Sequence, residues 1–467
     1  MLYLRKYLLL IKMNKILTII LAGFLAVSCH DYDVLRFDPS DYTEEMIVIK
    51  NDTIRFRAYE HICYVENPED TAFQTLNIYV PEMVEVEAPI FLRTYVGGYM
   101  AAKARRPSRR DATARALKEG YVVCIPGARG IDSKVVTAEG TVFTGRAPAG
   151  ILDLKAAVRY LRHNDRLIPG NAERIITDGT SAGGAMSSLL GSSGNSPLFE
   201  PYLKAMGAAD ERDDVFASVC YCPIVDLEHA DMAYEWLYSC TNDGIRGLTE
   251  EQKEVSVELS LMFPEYISGL GLYLSDGTSM DASVMRGYIK ELIAGSAQRV
   301  IEKGLTIPEG IGIYVNEGNV SDVDLDAYLT YVAGTAKLKT PPAFDAKGVL
   351  SNPHTVENML FGGADGSSAN FTLYGCSVNG HTLDDKLQER VNLMNPMFHL
   401  DEKGDKAPYW YIRHGARDRD TGFSIPVALA LKIENAGLDV DFALPWNRGH
   451  EGDYDLDDLF EWIESRL

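Results

Sequence analysis

The chain is short of basic residues. Lys and Arg total 45 against 67 for Asp and Glu, a formal net charge of −22. That balance repels phosphate backbones, so nucleic acid is set aside as a partner, and a strongly anionic polymer is a poor substrate. Long apolar runs are missing as well. The N-terminal uncharged run Ile16–Val27 has twelve residues, too few to cross a bilayer. There is no internal repeat and no low-complexity segment. With 46% hydrophobic and 24% charged residues, neither a fibre nor a disordered chain is expected. Cysteine is scarce, at 7 of 467. Setting Cys29 aside, the remaining six permit disulfides without requiring them. Cys124, Cys220 and Cys222 lie in apolar runs and read as buried thiols. Metal signatures are lacking too. His229 has no His-Glu-x-x-His context, and Cys220-x-Cys222 has no further ligands at suitable spacing. Asp322-x-Asp324-x-Asp326 starts like a calcium loop but has Ala327 and Ala333 where the loop needs Gly and Glu; it reads as a helix N-terminus. No metal or cofactor is expected.

What is present begins with a targeting segment. Residues 1–28 carry Arg5, Lys6, Lys12 and Lys15 and no acid. A basic start followed by a short apolar run is the pattern of a secretory signal. The run ends Leu25-Ala26-Val27-Ser28-Cys29, similar to a bacterial lipoprotein box, which predicts lipidation at Cys29. The expected location is therefore outside the cytoplasm, as an outer-membrane or cell-surface lipoprotein, otherwise periplasmic or secreted. Membrane contact is expected only through that anchor.

Strand and helix patterns alternate after the leader. Met46–Lys50 and Thr53–Tyr59 alternate around Asn51-Asp52, as a β-hairpin does. Short apolar runs at 74–80, 89–96, 121–125, 174–177 and 216–224 read as strands, and 111–119, 151–162 and 182–190 as helices. The pattern resumes with strands at 409–413 and 440–446 and helices at 424–436 and 456–467. Such alternation predicts an α/β fold, a mostly parallel sheet with helices on both faces. It is interrupted between Pro223 and about Leu400. The reading is a catalytic domain from residues 30–222 and 401–467, with 223–400 as an inserted lid.

The chemistry centres on Gly179-Thr180-Ser181-Ala182-Gly183. Of 26 serines only Ser181 has Gly at both −2 and +2, and composition alone would give about 0.2 such matches by chance. The motif follows a strand and opens a helix, the setting of a nucleophile elbow in the α/β-hydrolase fold. A serine hydroxyl needs a base, and the base an orienting acid. In that fold the order is Ser, acid, His. His450 follows the strand 440–446 and fits the base. His414 is a rival, but it precedes the acid. Asp418 and Asp420 both follow the strand 409–413, where the acid belongs. An oxyanion hole needs two N–H donors; Ala182 supplies one, and the loop with Gly97 and Gly98 the other.

These residues extend into a wider resemblance. Thr94–Tyr99, Asp178–Gly184, Glu228–Trp236, Pro342–Asp345, Ile412–Thr421, Phe442–Trp446 and Gly452–Leu456 together resemble the bacterial tannases of the α/β-hydrolase type with a large lid (subtype B). The resemblance implies a Ser181, Asp418 and His450 triad. It also implies that Asp420, Lys339 and Glu357 bind the three hydroxyls of a galloyl group, and that the substrate is a small-molecule galloyl ester. Two alternatives remain beside it: a feruloyl or other carbohydrate esterase on the same scaffold, and a non-catalytic lipoprotein that binds glycans or polyphenols.

Overall fold

The computed structural model describes residues 33–346 and 355–467. The expected signal segment and Cys29 lie outside the described residues. The chain divides into a short unit, Met1–Arg36, and a large one, Phe37–Leu467. In the first, residues 33–36 form a turn in which the Arg36 N–H donates to the Asp33 carbonyl at 3.1 Å.

Thirteen strands occur in chain order among the described residues: β1 Thr43–Ile49, β2 Asp52–Cys63, β3 Thr75–Pro81, β4 Pro89–Arg93, β5 Val122–Pro126, β6 Lys134–Thr137, β7 Gly140–Phe143, β8 Asn171–Thr180, β9 Ala217–Tyr221, β10 Ile313–Asn316, β11 Asn319–Val323, β12 Tyr409–Arg413 and β13 Asp439–Ala443. Nine form one sheet in the order β1-β2-β3-β5-β4-β8-β9-β12-β13. Every pairing from β5 to β13 is parallel, and those before it are antiparallel. The parallel strands β4, β5 and β9 are buried at every residue, as they must be when helices cover both faces. On one face Phe91, Val123, Ile176 and Val219 pack with Leu459, Phe460 and Ile463 of the helix Leu456–Glu464. Burying a side chain such as Phe460 contributes about 1.5–3 kcal/mol.

The predicted α/β-hydrolase sheet is thus observed, with one local shift. The β1–β2 register pairs Ile49 with Asp52, so the turn residues are Lys50 and Asn51 rather than Asn51 and Asp52. Lys50 takes φ +54°, and Asp52 is drawn into β2, where it pairs with Lys118 at 2.7 Å.

Between β9 and β12 no described residue adds a strand to this sheet. The segment holds the helices Leu227–Tyr238, Glu250–Gly269, Ala282–Glu302, Leu325–Thr335 and Val356–Leu360, then Leu373–Val378 and Asp385–Leu393, with the β10–β11 hairpin among them. Asp324 caps the helix Leu325–Thr335 by accepting the Ala327 N–H, whereas Asp322 belongs to β11. The helix Pro396–Asp401 spans the boundary expected near residue 400 and packs on the helices Ala182–Ser192 and Ser424–Asn435. The six cysteines of the described residues are free thiols, with Cys124, Cys220 and Cys222 buried.

Candidate active site

β8 delivers Ser181 at its C-terminal end, one residue before the helix Ala182–Ser192 begins. Ser181 has φ +62° and ψ −124°, a left-handed backbone that costs a residue other than glycine about 1–3 kcal/mol. The turn is tight enough that a Cβ on Gly179 would sit 2.2 Å from the Gly183 carbonyl oxygen, and one on Gly183 would sit 2.8 Å from the Val96 oxygen. Glycine at −2 and +2 is therefore a steric requirement. The Ser181 N–H donates to the Tyr221 carbonyl at 2.9 Å, which fixes the elbow to β9.

Two loops from far along the chain meet this serine. His450 Nε2 lies 2.8 Å from Ser181 Oγ, and its Nδ1 lies 2.8 Å from Asp418 Oδ2. Asp418 is buried, and its Oδ1 accepts the Asp420 N–H at 2.8 Å. Burial alone would raise the Asp418 pKa, but the imidazoles of His414 and His450 and that N–H outweigh it and hold the carboxyl at about 2. Burial disfavours the His450 imidazolium; Asp418 and Asp420 more than offset this and lift its pKa above the usual histidine value. The two loops are also tied to each other. The Ala416 N–H donates to the Pro445 carbonyl at 3.0 Å, and the Arg417 N–H to the Arg448 carbonyl at 2.8 Å.

His414, the rival base, lies behind the acid. It is fully buried, with Nδ1 3.7 Å from Asp418 Oδ2. His229 is a packing residue, stacked on Tyr266 with ring centroids 3.8 Å apart and hydrogen-bonded to Asp226. Among the described residues, two groups of side chains are close enough to share an ion: Cys222, His414 and Asp418, and Asp418, Asp420 and His450. Asp418 belongs to both and is already engaged by His450.

Gly97 and Gly98 follow β4 and lie in the loop that touches the elbow. Gly98 has φ +53° and Tyr99 φ +54°, and the Tyr99 hydroxyl donates to the Ile224 carbonyl at 2.7 Å. Ala182 opens its helix, so its N–H has no partner within that helix. It is the kind of donor that stabilises a developing anion.

The three residues implied to bind phenolic hydroxyls converge beside the relay. Lys339 Nζ is 4.0 Å from Asp420 Oδ1, and Asp420 Oδ2 is 3.9 Å from His450 Nδ1. Arg419 also pairs with Asp420. Glu357 is buried, 5% exposed. Burial raises its pKa, and the Lys339 charge pulls the other way. Sequence reasoning missed what holds these groups. Asp231 accepts the N–H groups of Ala343, Phe344 and Asp345. Asp345 in turn accepts from Asn358 and Asn370 at 2.7 Å and from the Phe371 and Thr372 N–H groups. Arg146 and Arg390 donate to the carbonyls of Met359 and Phe361, at the far end of the Glu357 helix. Asp231 and Asp345 lie inside two of the segments that carried the resemblance, which was the available signal.

A second missed group links the strand of Ser181 to the loop of His450. Arg93, at the end of β4, pairs with Asp178, three residues before the serine, and with Asp453, three residues after the histidine, the latter at 2.7 Å. Asp453 also accepts the Ala112 N–H at 3.0 Å.

A family model described as BD-FAE matches residues 76–255. The crystal structure of Fusobacterium nucleatum tannase is 38% identical, covering 93% of this chain and 100% of that one, with a TM-score of 0.85. The chain belongs to the bacterial tannase family. A tannin acyl hydrolase in complex with ethyl gallate is 39% identical over 92% of this chain and 98% of that one, TM-score 0.84. The native tannin acyl hydrolase from Lactobacillus plantarum is 38% identical over the same shares, TM-score 0.83. No curated protein matches. Family membership makes the chain a carboxylic ester hydrolase.

Proposed function

We propose that the chain hydrolyses galloyl esters of tannins and simple gallate esters, releasing gallic acid through an acyl-enzyme on Ser181. The observation that carries this reading is the continuous hydrogen-bonded path from Ser181 through His450 to Asp418, set beside Lys339 and Asp420. His450 Nε2 takes the Ser181 proton as Oγ attacks the ester carbonyl. Asp418 holds the imidazole in place and stabilises the imidazolium. The oxyanion lies at the N–H groups of Ala182 and the Gly97-Gly98 loop. His450 returns the proton to the leaving alcohol, and water then reverses the sequence to free gallate. Asp420 and Glu357 accept from the ring hydroxyls and Lys339 donates to them. A site built to bond hydroxyls discriminates far better against analogues lacking them than an apolar slot does.

Initial rates on methyl gallate, methyl ferulate and an acetyl ester test this. Gallate is expected to be preferred, and a clear preference for ferulate would overturn the galloyl assignment. Lys339→Ala, Glu357→Ala and Asp420→Ala are each expected to lower kcat/KM on methyl gallate by about 10–100-fold, from the loss of roughly 1.5–3 kcal/mol for a hydrogen bond to a charged group. The acetyl ester should lose much less. Equal losses on both esters would count against the pocket.

The pH profile follows from the base. His450 must be neutral to accept a proton, and its pKa is raised. Activity is therefore expected to fall as pH drops through a value raised above that of an ordinary histidine. Asp420 contributes to that rise, so Asp420→Asn should move the acidic limb of kcat/KM on the acetyl ester to lower pH. An unmoved limb would show that the titrating group is not His450. Export and lipidation at Cys29 complete the proposal and rest on the sequence of residues 1–29 alone.

A further inference from the structure

The loop that carries the acid leaves three backbone carbonyls facing the inserted segment. Each is met by a tyrosine hydroxyl from that segment. Tyr328 donates to the Ala416 carbonyl at 2.6 Å, Tyr238 to the Asp418 carbonyl at 3.0 Å, and Tyr234 to the Arg419 carbonyl at 2.8 Å. Tyr234 and Tyr238 come from the helix Leu227–Tyr238 and Tyr328 from the helix Leu325–Thr335. All three are fully buried. Phenylalanine would fill the same space; what tyrosine adds at each position is one donor aimed at the acid loop. A buried carbonyl left without a partner is costly, so the loop has one well-satisfied position, and these hydroxyls define it. Tyr234 has a second contact. Its oxygen accepts the Lys339 N–H at 3.0 Å while its hydrogen goes to Arg419. One atom thus sets the spacing between the segments that carry Lys339 and Asp420.

We propose that Tyr234, Tyr238 and Tyr328 are positioning residues through which the inserted segment sets the reactivity of the relay. Seating the insertion and aligning Asp418 with His450 are then one event. The Ser181 nucleophile is competent only when the insertion is in place, even toward an ester too small to touch Lys339 or Glu357. The inference rests on Ser181, His450 and Asp418 being the reacting groups, and the experiment separates the two ideas.

The test uses the full chain with Tyr238→Phe, Tyr328→Phe, the pair together and Tyr234→Phe, with Ser181→Ala as control. Three quantities are read per folded molecule, with folding checked by near-UV circular dichroism. They are the rate of Ser181 labelling by a fluorophosphonate probe, kcat and KM on methyl gallate and p-nitrophenyl acetate, and the pH profile of kcat/KM. A small misplacement of a reacting group is costly in rate. Tyr238→Phe and Tyr328→Phe are expected to slow labelling and lower kcat by about tenfold on both esters, with KM little changed. In both, the acidic limb of the profile should move to lower pH as Asp418 supports the imidazolium less well. Tyr234→Phe is expected also to raise KM for methyl gallate. Folded Tyr238→Phe and Tyr328→Phe proteins that label at the wild-type rate with an unshifted profile would overturn the proposal, whatever their melting temperatures. Labelling that persists in Ser181→Ala would instead overturn the assignment of the nucleophile.

Discussion

Ser181→Ala is expected to remove turnover of methyl gallate and of an acetyl ester alike, by on the order of a million-fold in kcat, as the loss of a serine nucleophile does elsewhere. The size follows from how the three groups depend on one another. On the proposed mechanism, His450 has a proton to move only if Ser181 supplies it, and Asp418 has an imidazolium to stabilise only if His450 has taken it. His450→Ala should therefore cost nearly as much, and Ser181→Ala/His450→Ala little more than either alone. The measurement is stopped-assay gallate release with the fluorophosphonate probe as a count of competent sites. A double variant that loses the product of the two single effects would mean that the residues act independently, and the relay would not be the catalytic unit. The bound shape of the substrate should survive, since Lys339, Asp420 and Glu357 belong to other segments. Ser181→Ala is thus expected to retain affinity for methyl gallate.

The second large effect concerns stability. Arg93→Leu is expected to destabilise the fold by about 3–5 kcal/mol, read as a lowered urea midpoint, because it strands the buried Asp178 carboxylate, and the partly buried one of Asp453, without their cation. Asp178 is fully buried, Arg93 is 4% exposed, and the Asp453 side chain is 16% exposed. Burial pushes both carboxyl groups up, and Arg93 pulls them back toward ionisation. The consequence extends beyond stability. Asp178 lies on β8 just before Ser181, and Asp453 shares the loop with His450, so Arg93 ties the segment of Ser181 to that of His450. Activity in the residual folded fraction should fall as well. Arg93→Lys keeps the charge but can no longer bond both acids in a fixed fork, so an intermediate loss is expected. An Arg93→Leu protein as stable and active as wild type would show that the pairings carry neither role.

The sequence made the sheet legible because most of the parallel strands are short, carry an apolar run and are separated by helices. The strand predicted at 409–413 is observed as Tyr409–Arg413, and the helix predicted from Ser424 begins there. The elbow was legible because a steric requirement leaves glycines at fixed offsets. Position alone left Asp418 and Asp420 open. The difference between them is three-dimensional: Asp418 lies 2.8 Å from His450 Nδ1 and Asp420 3.9 Å. Arg93, Asp453 and the three tyrosines left no trace in periodicity or spacing. Arg93 ends β4 but sits inside the run read as a strand at 89–96, where a lone basic residue carries no pattern. The partners of Tyr238 and Tyr328 lie 180 and 88 residues away, and they are main-chain atoms, for which no residue type is a marker. The short hairpins β6–β7 and β10–β11 were missed because each is four or five residues a strand and largely exposed, with no apolar face to set a period.

β9 and β12 are direct neighbours in the sheet, paired from Ala217 with Tyr409 to Tyr221 with Arg413. Everything between them is, topologically, a single crossover. Lengthening such a connection adds closure cost only with the logarithm of its length, so the register of the two strands is nearly indifferent to what is threaded through it. Insertion, deletion or exchange in that one interval can therefore replace Lys339 and Glu357 while Ser181, Asp418, Asp420 and His450, all outside it, stay where they are. On the proposal above, any replacement must still present donors where Tyr234, Tyr238 and Tyr328 meet the loop after β12.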